Sequence, residues 1–438
     1  MVSSLIVAIP AIGKEFSMSA AEMSWMSTAF FLAASMFLLP CGRASDIFGV
    51  KRVFTVGIYV YIISALLASL SPSSMILTTA RFLTGIGAAM IFGTSFAILS
   101  LSLPESERGQ ALGINIAGSL LGFALGFQAG GLLTYYLSWR WIFLLTLPID
   151  LLVIALIHLK LPGECAFSKG QKLDLPGSVL IITIIYLIVA GFSTLPSSRG
   201  VLSFLGGVAL FIVFIWWEMR TKSPVINPRL FMKNLPFAIS TGAALTYYTG
   251  SFGVIFLFSL YLHYIRQLDA RQVGLVLLVF TLIMAILVSY AGRLSDRLSP
   301  YIITTAGILI TLLGLLPLAF LDSTTPLGFA LLEFLLIIVG GALFAPPIVK
   351  IILRCISREM YGMVSSLEET MRLLGNTASM AIITVIFTLY LGDSIIKAEN
   401  FPGLLASMRT IFSIFFIIST MSLILATSAG KFRVRRIK

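Results

Sequence analysis

Three carboxylates, Glu333, Glu368 and Glu369, lie inside long apolar runs of the second half of the chain, and one guanidinium, Arg81, lies inside a run of the first. A carboxyl taken out of water favours its neutral form, so each of the three is a candidate proton carrier. A guanidinium keeps its proton and needs an acid, backbone carbonyls or water around it. Glu368 stands four residues before Arg372, the spacing of an intrahelical ion pair that would hold it charged and make it structural. Glu369 and Glu333 have no such local partner, and Glu333, about two turns from the outer end of its helix, ranks first as a coupling site. An intramembrane enzyme would need a nucleophile with a base, or metal ligands, at one depth. The two histidines, His158 and His263, fall at opposite faces, and no CxxC or Cys/His cluster exists. Neither an enzyme nor a metal or cofactor site is expected.

Those charges must be held by membrane helices. The 438 residues are 58% hydrophobic and only 11% charged, with mean hydropathy +1.03, far from the roughly 25% charged residues of soluble domains. Thirteen apolar runs reach spanning length: 24–41, 53–70, 75–103, 111–136, 141–161, 175–195, 201–217, 237–261, 273–291, 301–321, 327–353, 360–391 and 404–429. Residues 1–13 make a fourteenth, incomplete one, about 20 Å long against a hydrocarbon core about 30 Å thick. The first helix is therefore expected to be truncated, or the true start to lie upstream. A cleavable signal peptide is disfavoured, because no basic n-region precedes this piece and it runs into Pro10 and Gly13-Lys14-Glu15 without a small-residue cleavage site.

The net charge of +12 comes from Lys and Arg scattered through short connections, with no dense basic block to suggest nucleic acid. If residues 42–52 face the cytoplasm, that side gathers twenty of the 30 basic residues, including Arg43, Lys51, Arg52, Arg220, Arg293, Arg354 and the 431–438 cluster. Seven fall on the other side, while Arg81, Lys350 and Arg372 lie within spans. This asymmetry places the C-terminus inside. Cys41, Cys165 and Cys355 then sit at cytoplasmic helix ends, where thiols stay reduced and no disulfide is expected.

A charged, glycine-punctuated segment, Gly42-Arg43-Ala44-Ser45-Asp46-Ile47-Phe48-Gly49-Val50-Lys51-Arg52, reads as a loop between two apolar runs, and a partial copy, Gly292-Arg293-Leu294-Ser295-Asp296-Arg297, recurs 250 residues later. The chain thus divides into two related halves, and eight spans separate the copies. The 42–52 segment resembles the loop between the second and third helices of the major facilitator superfamily. With six helices in each half of that family, two extra helices, 175–195 and 201–217, must lie between the halves. This pattern is similar to the fourteen-helix drug:proton antiporter branch. Further strings strengthen the resemblance over essentially the whole chain: Ser138-Trp139-Arg140-Trp141-Ile142-Phe143 with Pro148, the 224–237 run with Leu230-Phe231 and Lys233-Asn234, and Arg81-Phe82-Leu83-Thr84-Gly85-Ile86-Gly87-Ala88-Ala89.

The resemblance implies an all-α polytopic membrane protein: a six-helix bundle over 1–161, a linker with two added helices over 162–236, a second six-helix bundle over 237–429 and a basic cytoplasmic tail, 430–438. It further implies that Gly42, Asp46, Gly49, Lys51 and Arg52, with Gly292 and Asp296 in the second copy, latch one face shut. Gly118, Gly122, Gly126 and Gly130 recur every four residues, drifting about 40° per step, and so form a groove in which another helix can lie. That string resembles the antiporter-associated motif, with Phe127 where a proline is usual, which puts the kink in question but not the close-packed pivot. Arg81 matches a residue linked to proton transfer in the family. The acid that usually precedes the first-helix stretch is absent, since its position is Met1 or missing. Asn115, Gln128, Asn376, Tyr247, Tyr248 and Phe252 are candidates to line a central cavity for amphiphilic or cationic compounds. The expected function is alternating-access, proton-coupled efflux of hydrophobic or amphiphilic drugs through the plasma (inner) membrane by a monomer. Export of one endogenous metabolite, or a transport-impaired relic, stands as the alternative.

Overall fold

The structure, a computed structural model, describes residues 1–102, 108–160, 163, 173–221, 224–226, 228–356 and 361–437. Cys165, Lys169, Lys172, Lys222, Arg358 and Lys438 of the expected basic face lie outside them. Among the described residues there is no strand, and there are seventeen α-helices. They are α1 (Val2–Glu15), α2 (Ala20–Phe48), α3 (Val50–Ser69), α4 (Ser74–Ser102), α5 (Arg108–Tyr136), α6 (Arg140–Leu144), α7 (Thr146–Lys160), α8 (Leu175–Ser193) and α9 (Ser198–Glu218), followed by α10 (Pro228–Lys233), α11 (Leu235–Ser251), α12 (Gly253–Leu260), α13 (Ala270–Arg297), α14 (Pro300–Leu318), α15 (Leu327–Leu353), α16 (Tyr361–Leu391) and α17 (Phe401–Ile437). Among the described residues thirteen helical stretches are long and apolar enough to cross a bilayer, in step with the thirteen runs read from the sequence. Only closed backbone hydrogen bonding survives in hydrocarbon, which is why apolar runs of this length become helices.

Two of the runs are broken within the membrane. The 141–161 run divides at Leu145 into α6 and α7, which places Pro148 in the first turn of α7, where a missing N–H costs nothing. The 237–261 run breaks at Phe252, and Gly253 N donates to Ser379 Oγ of α16 at 2.9 Å, so the freed backbone group is satisfied.

Residues 42–52 are not a loop. α2 continues through them to Phe48, and the single break is Gly49, at φ 112°, a backbone region that glycine alone enters freely. The copy at 292–297 is likewise the last turn of α13. Both keep the same local bond, Ser45 Oγ donating to Gly42 O and Ser295 Oγ to Gly292 O, each at 2.7 Å. The expectation failed because hydropathy reports where a helix leaves the lipid, whereas its backbone bonding can continue into water. The basic tail, read from 430 onward, is helical through Ile437 as the end of α17.

Contacts divide the chain into two compact units. One comprises Met1–Met23, Gly118–Trp139 and Leu230–Lys438, and the other Ser24–Ala117 and Arg140–Arg229. In the first, α14 packs on α15, α11 lies against α16 and α17, and α1 against α12 and α13. Its core includes Phe237, Tyr247, Phe344 and Ile348. In the second, α3 packs on α4, α6 and α7, while α8 and α9 form a hairpin. α9 leaves Leu202 74% and Ile212 67% exposed, as a helix facing lipid would.

Candidate functional site

The first unit places an aromatic wall beside a cluster of charges. Tyr247 of α11 stacks on Phe344 of α15 at 3.7 Å between centroids, and its hydroxyl bonds Thr311 Oγ1 of α14 at 2.9 Å. Tyr248 meets the same Phe344 edge-on at 5.9 Å and donates its hydroxyl to Glu368 of α16 at 3.1 Å. A Cβ on Gly375 would stand 2.6 Å from Tyr248 Cβ and 2.9 Å from Leu245 O, so glycine there lets α16 come up against α11.

The expected partner of Arg372 was Glu368, and the structure pairs it with Glu369. Arg372 Nε donates to Glu369 Oε2 at 3.0 Å, and Nη2 meets Oε1. Three- and four-residue spacings both bring helix side chains together, so the sequence offered Arg372 two acids. Tyr248, from another helix, takes Glu368 instead. The side chains of Arg372 and Glu369 keep 42% and 22% of their exposure, so they are not sealed in the core. One turn on, Asn376 is 5% exposed and its buried Oδ1 has no hydrogen-bond partner.

Glu333 lies elsewhere in the unit. It sits six residues, about 9 Å, from the start of α15, whereas Glu369 lies eight residues from the start of α16, which runs the other way. The two are not brought together. Glu333 Oε2 is buried without a partner, near Tyr261, whose hydroxyl accepts from Arg266 Nε at 2.8 Å.

The glycines of α5 are used over half their length. Gly126 and Gly130 abut Ser3 and Ser4 of α1, and a Cβ on Gly131 would stand 2.5 Å from Ala270 O of α13. From the other side, a Cβ on Gly274 would meet Phe127 O at 2.7 Å. Gly118 and Gly122 face open space, so the expected continuous groove is a seam confined to Phe127–Gly131 and its neighbours. Beyond it Arg271 Nη1 donates to Tyr136 Oη at 3.2 Å and lies 4.9 Å over Tyr135, and Trp139 Nε1 donates to Glu15 Oε2 at 2.7 Å. Gln128 is half-buried with Oε1 unpartnered.

In the second unit Arg81 is 1% exposed, with its guanidinium 4.6 Å over the Phe30 ring and neither Nε nor Nη1 bonded. Tyr61 of α3 lies near enough to feel both Arg81 and Asp150 of α7. Asp150 Oδ2 is itself buried without a partner. Sequence reading passed over Asp150, although a carboxylate inside the 141–161 run was signal enough. Asn115 is exposed in this unit's part of α5. At the end of α2, Asp46 pairs with Arg43 at 3.7 Å, and a Cβ on Gly93 of α4 would come within 3.3 Å of Gly42 N. The corresponding Asp296, in the first unit, pairs with Lys350 of α15, which also donates to Ser295 O at 2.7 Å. Gly292 has nothing near it. Both ion pairs keep much of their exposure, so solvent screens the attraction and neither is a strong tether.

The sequence profile of the Major Facilitator Superfamily matches residues 1–380 and 239–436. The chain belongs to that superfamily. It is a multi-pass membrane transporter and not an enzyme. It is 27% identical over 395 residues to the multidrug resistance protein Stp of Mycobacterium tuberculosis, covering 89% of this chain and 73% of that one. It is 31% identical over 329 residues to the puromycin resistance protein pur8 of Streptomyces alboniger (73% and 64%), and 27% identical over 403 residues to the riboflavin transporter RibZ of Clostridioides difficile (92% and 87%). Among solved structures, a bacterial homologue of the human lysosomal transporter Spinster, inward-facing and unoccupied, superposes with a TM-score of 0.70 at 16% identity, covering 98% of this chain and 94% of that one. This superfamily chain thus has the fold of a transporter with charged groups inside its helices.

Proposed function

We propose that the protein is a proton-coupled exporter of hydrophobic or amphiphilic compounds in the plasma membrane, working by alternating access as a monomer with its C-terminus in the cytoplasm. The observation that carries the reading is the group formed by Tyr248, Glu368, Glu369 and Arg372 beside the Tyr247–Phe344 wall. Tyr248, half-buried against the buried Tyr247–Phe344 stack, offers its ring to apolar and cationic bodies, and a carboxylate that trades a cation for a proton couples binding to a gradient. Glu369 is the coupling acid in this scheme: the Arg372 ion pair holds it charged in the arrangement described, it takes up a proton in the arrangement where that pair parts, and Glu333 is a second acid nearer the other face. Arg81, with Asp150 near the same Tyr61, is a separate proton-handling candidate. Gln128, Asn115 and Asn376 line the substrate path, and the α5 seam is the pivot. Gly42, Asp46, Gly49, Lys51 and Arg52, with Gly292 and Asp296, hold the cytoplasmic ends. Several relatives are named as drug-resistance or export proteins, which supports the substrate class.

Cells expressing the chain are expected to accumulate less of a fluorescent lipophilic cation than cells expressing Glu369→Gln, with a protonophore abolishing the difference. Equal accumulation across a panel of amphiphiles would reject drug export. One relative is named as a riboflavin transporter, which favours a dedicated metabolite carrier as the second reading. A competition panel separates the two: broad inhibition supports multidrug export and narrow inhibition the dedicated carrier.

A further inference from the structure

The hairpin of α8 and α9 carries a pair of acids that the transport reading does not use. Asp174 caps α8, its Oδ1 accepting from Gly177 N at 3.0 Å. Trp217 Nε1 of α9 donates to Asp174 Oδ1 at 3.1 Å and Oδ2 at 3.2 Å. The next residue, Glu218, is 2% exposed, and its Oε2 accepts from Ile226 N at 3.1 Å. Its Oε1 is buried with no partner. A Cβ on Gly177 would stand 2.6 Å from that Oε1 and closer still to Asp174 Oδ2, so the two oxygens converge on one spot that only a glycine leaves free. Among the described residues no cation pairs with either acid. Among the described residues, the charged side chains near this end are Arg220, stacked 4.0 Å over Trp216, and Arg229, donating to Met219 O at 3.1 Å.

Two carboxylates in contact away from water cannot both stay charged. Something positive must lie between them. A calcium or magnesium ion wants six or more oxygens, whereas three of the four carboxyl oxygens here already accept hydrogen bonds. A proton needs only two oxygens. We infer that Asp174 and Glu218 bind one proton between them, forming a clasp that ties the start of α8 to the end of α9 and to the chain leading into α10. With the proton bound the pair is a neutral acid donating to a carboxylate's oxygen. Without it two like charges face each other, so the clasp weakens as pH rises.

The test uses the purified full chain in detergent. Its melting temperature, followed by tryptophan fluorescence, is compared with that of Glu218→Gln between about pH 5 and about pH 9. The Gln amide can donate to Asp174 as the acid does, so the variant is expected to lose about 2 °C less than the wild type across that range. A pH-difference infrared spectrum should show a titrating carboxylic-acid C=O band that both Glu218→Gln and Asp174→Asn lack. Parallel melting profiles with an unchanged band would overturn the clasp. Stabilisation of the wild type by added calcium, magnesium or sodium, missing in Glu218→Gln, would replace the proton with a metal ion and equally overturn it.

Discussion

Alanine at Gly131 would put a methyl group 2.5 Å from Ala270 O, and 3.2 Å from both Ala270 C and Arg271 Cα. Ordinary contact begins at 3.4 Å, and these neighbours are backbone atoms that no rotamer change can move aside. α5 and α13 must therefore separate by close to 1 Å, an overpacking strain of about 1–3 kcal/mol. That strain falls only on the arrangement in which the seam is closed, because parted helices accommodate the methyl freely. A bias of this size shifts two conformational populations by roughly 5- to 150-fold. Spin labels on Leu137 and Gln267, both exposed beside the seam, report the opening by electron–electron double resonance. Gly131→Ala should add a longer-distance component, and Gly131→Leu should make it dominant. If a folded Gly131→Leu protein keeps the wild-type distance distribution, the seam is ordinary packing and its role as a moving pivot is refuted.

Alanine at Gly49 must adopt φ 112°, which costs about 1–3 kcal/mol, and should lower the melting temperature, whereas alanine at Gly292, helical and unobstructed, should not. A melting comparison that finds the two equal removes the argument for Gly49. Arg81→Ala empties a fully buried site over the Phe30 ring and should destabilise by about 2–5 kcal/mol, and a double-mutant cycle with Asp150→Asn reads whether the two residues that act on Tyr61 also act on each other. Strict additivity in a double-mutant cycle would show that Arg81 and Asp150 do not interact.

Most of the architecture was legible because hydrocarbon imposes one rule: a run such as 301–321 or 327–353 must become a helix, and it did, as α14 and α15. Helix ends were less legible. The 42–52 segment looked like a loop because charge marks where water begins, whereas only Gly49 actually breaks the backbone. The partners of the charges were least legible. Nothing local distinguishes Glu368 from Glu369 as the mate of Arg372, since the choice depends on Tyr248 arriving from α11. The four-residue glycine repeat predicted close packing, but only the neighbouring helices decide that Gly126 and Gly130 are used and Gly118 and Gly122 are not. Asp174 and Glu218 stand just outside the 175–195 and 201–217 runs, and their burial depends on how α8 and α9 pair.

Purified protein in liposomes, loaded with a fluorescent amphiphile and given an imposed pH difference, offers the most direct test of the whole account. The expected result is dye movement that reverses when the gradient is reversed and is lost in Glu369→Gln. Flux of the same rate with and without the gradient, unchanged by that substitution, would contradict proton coupling through the α16 acids.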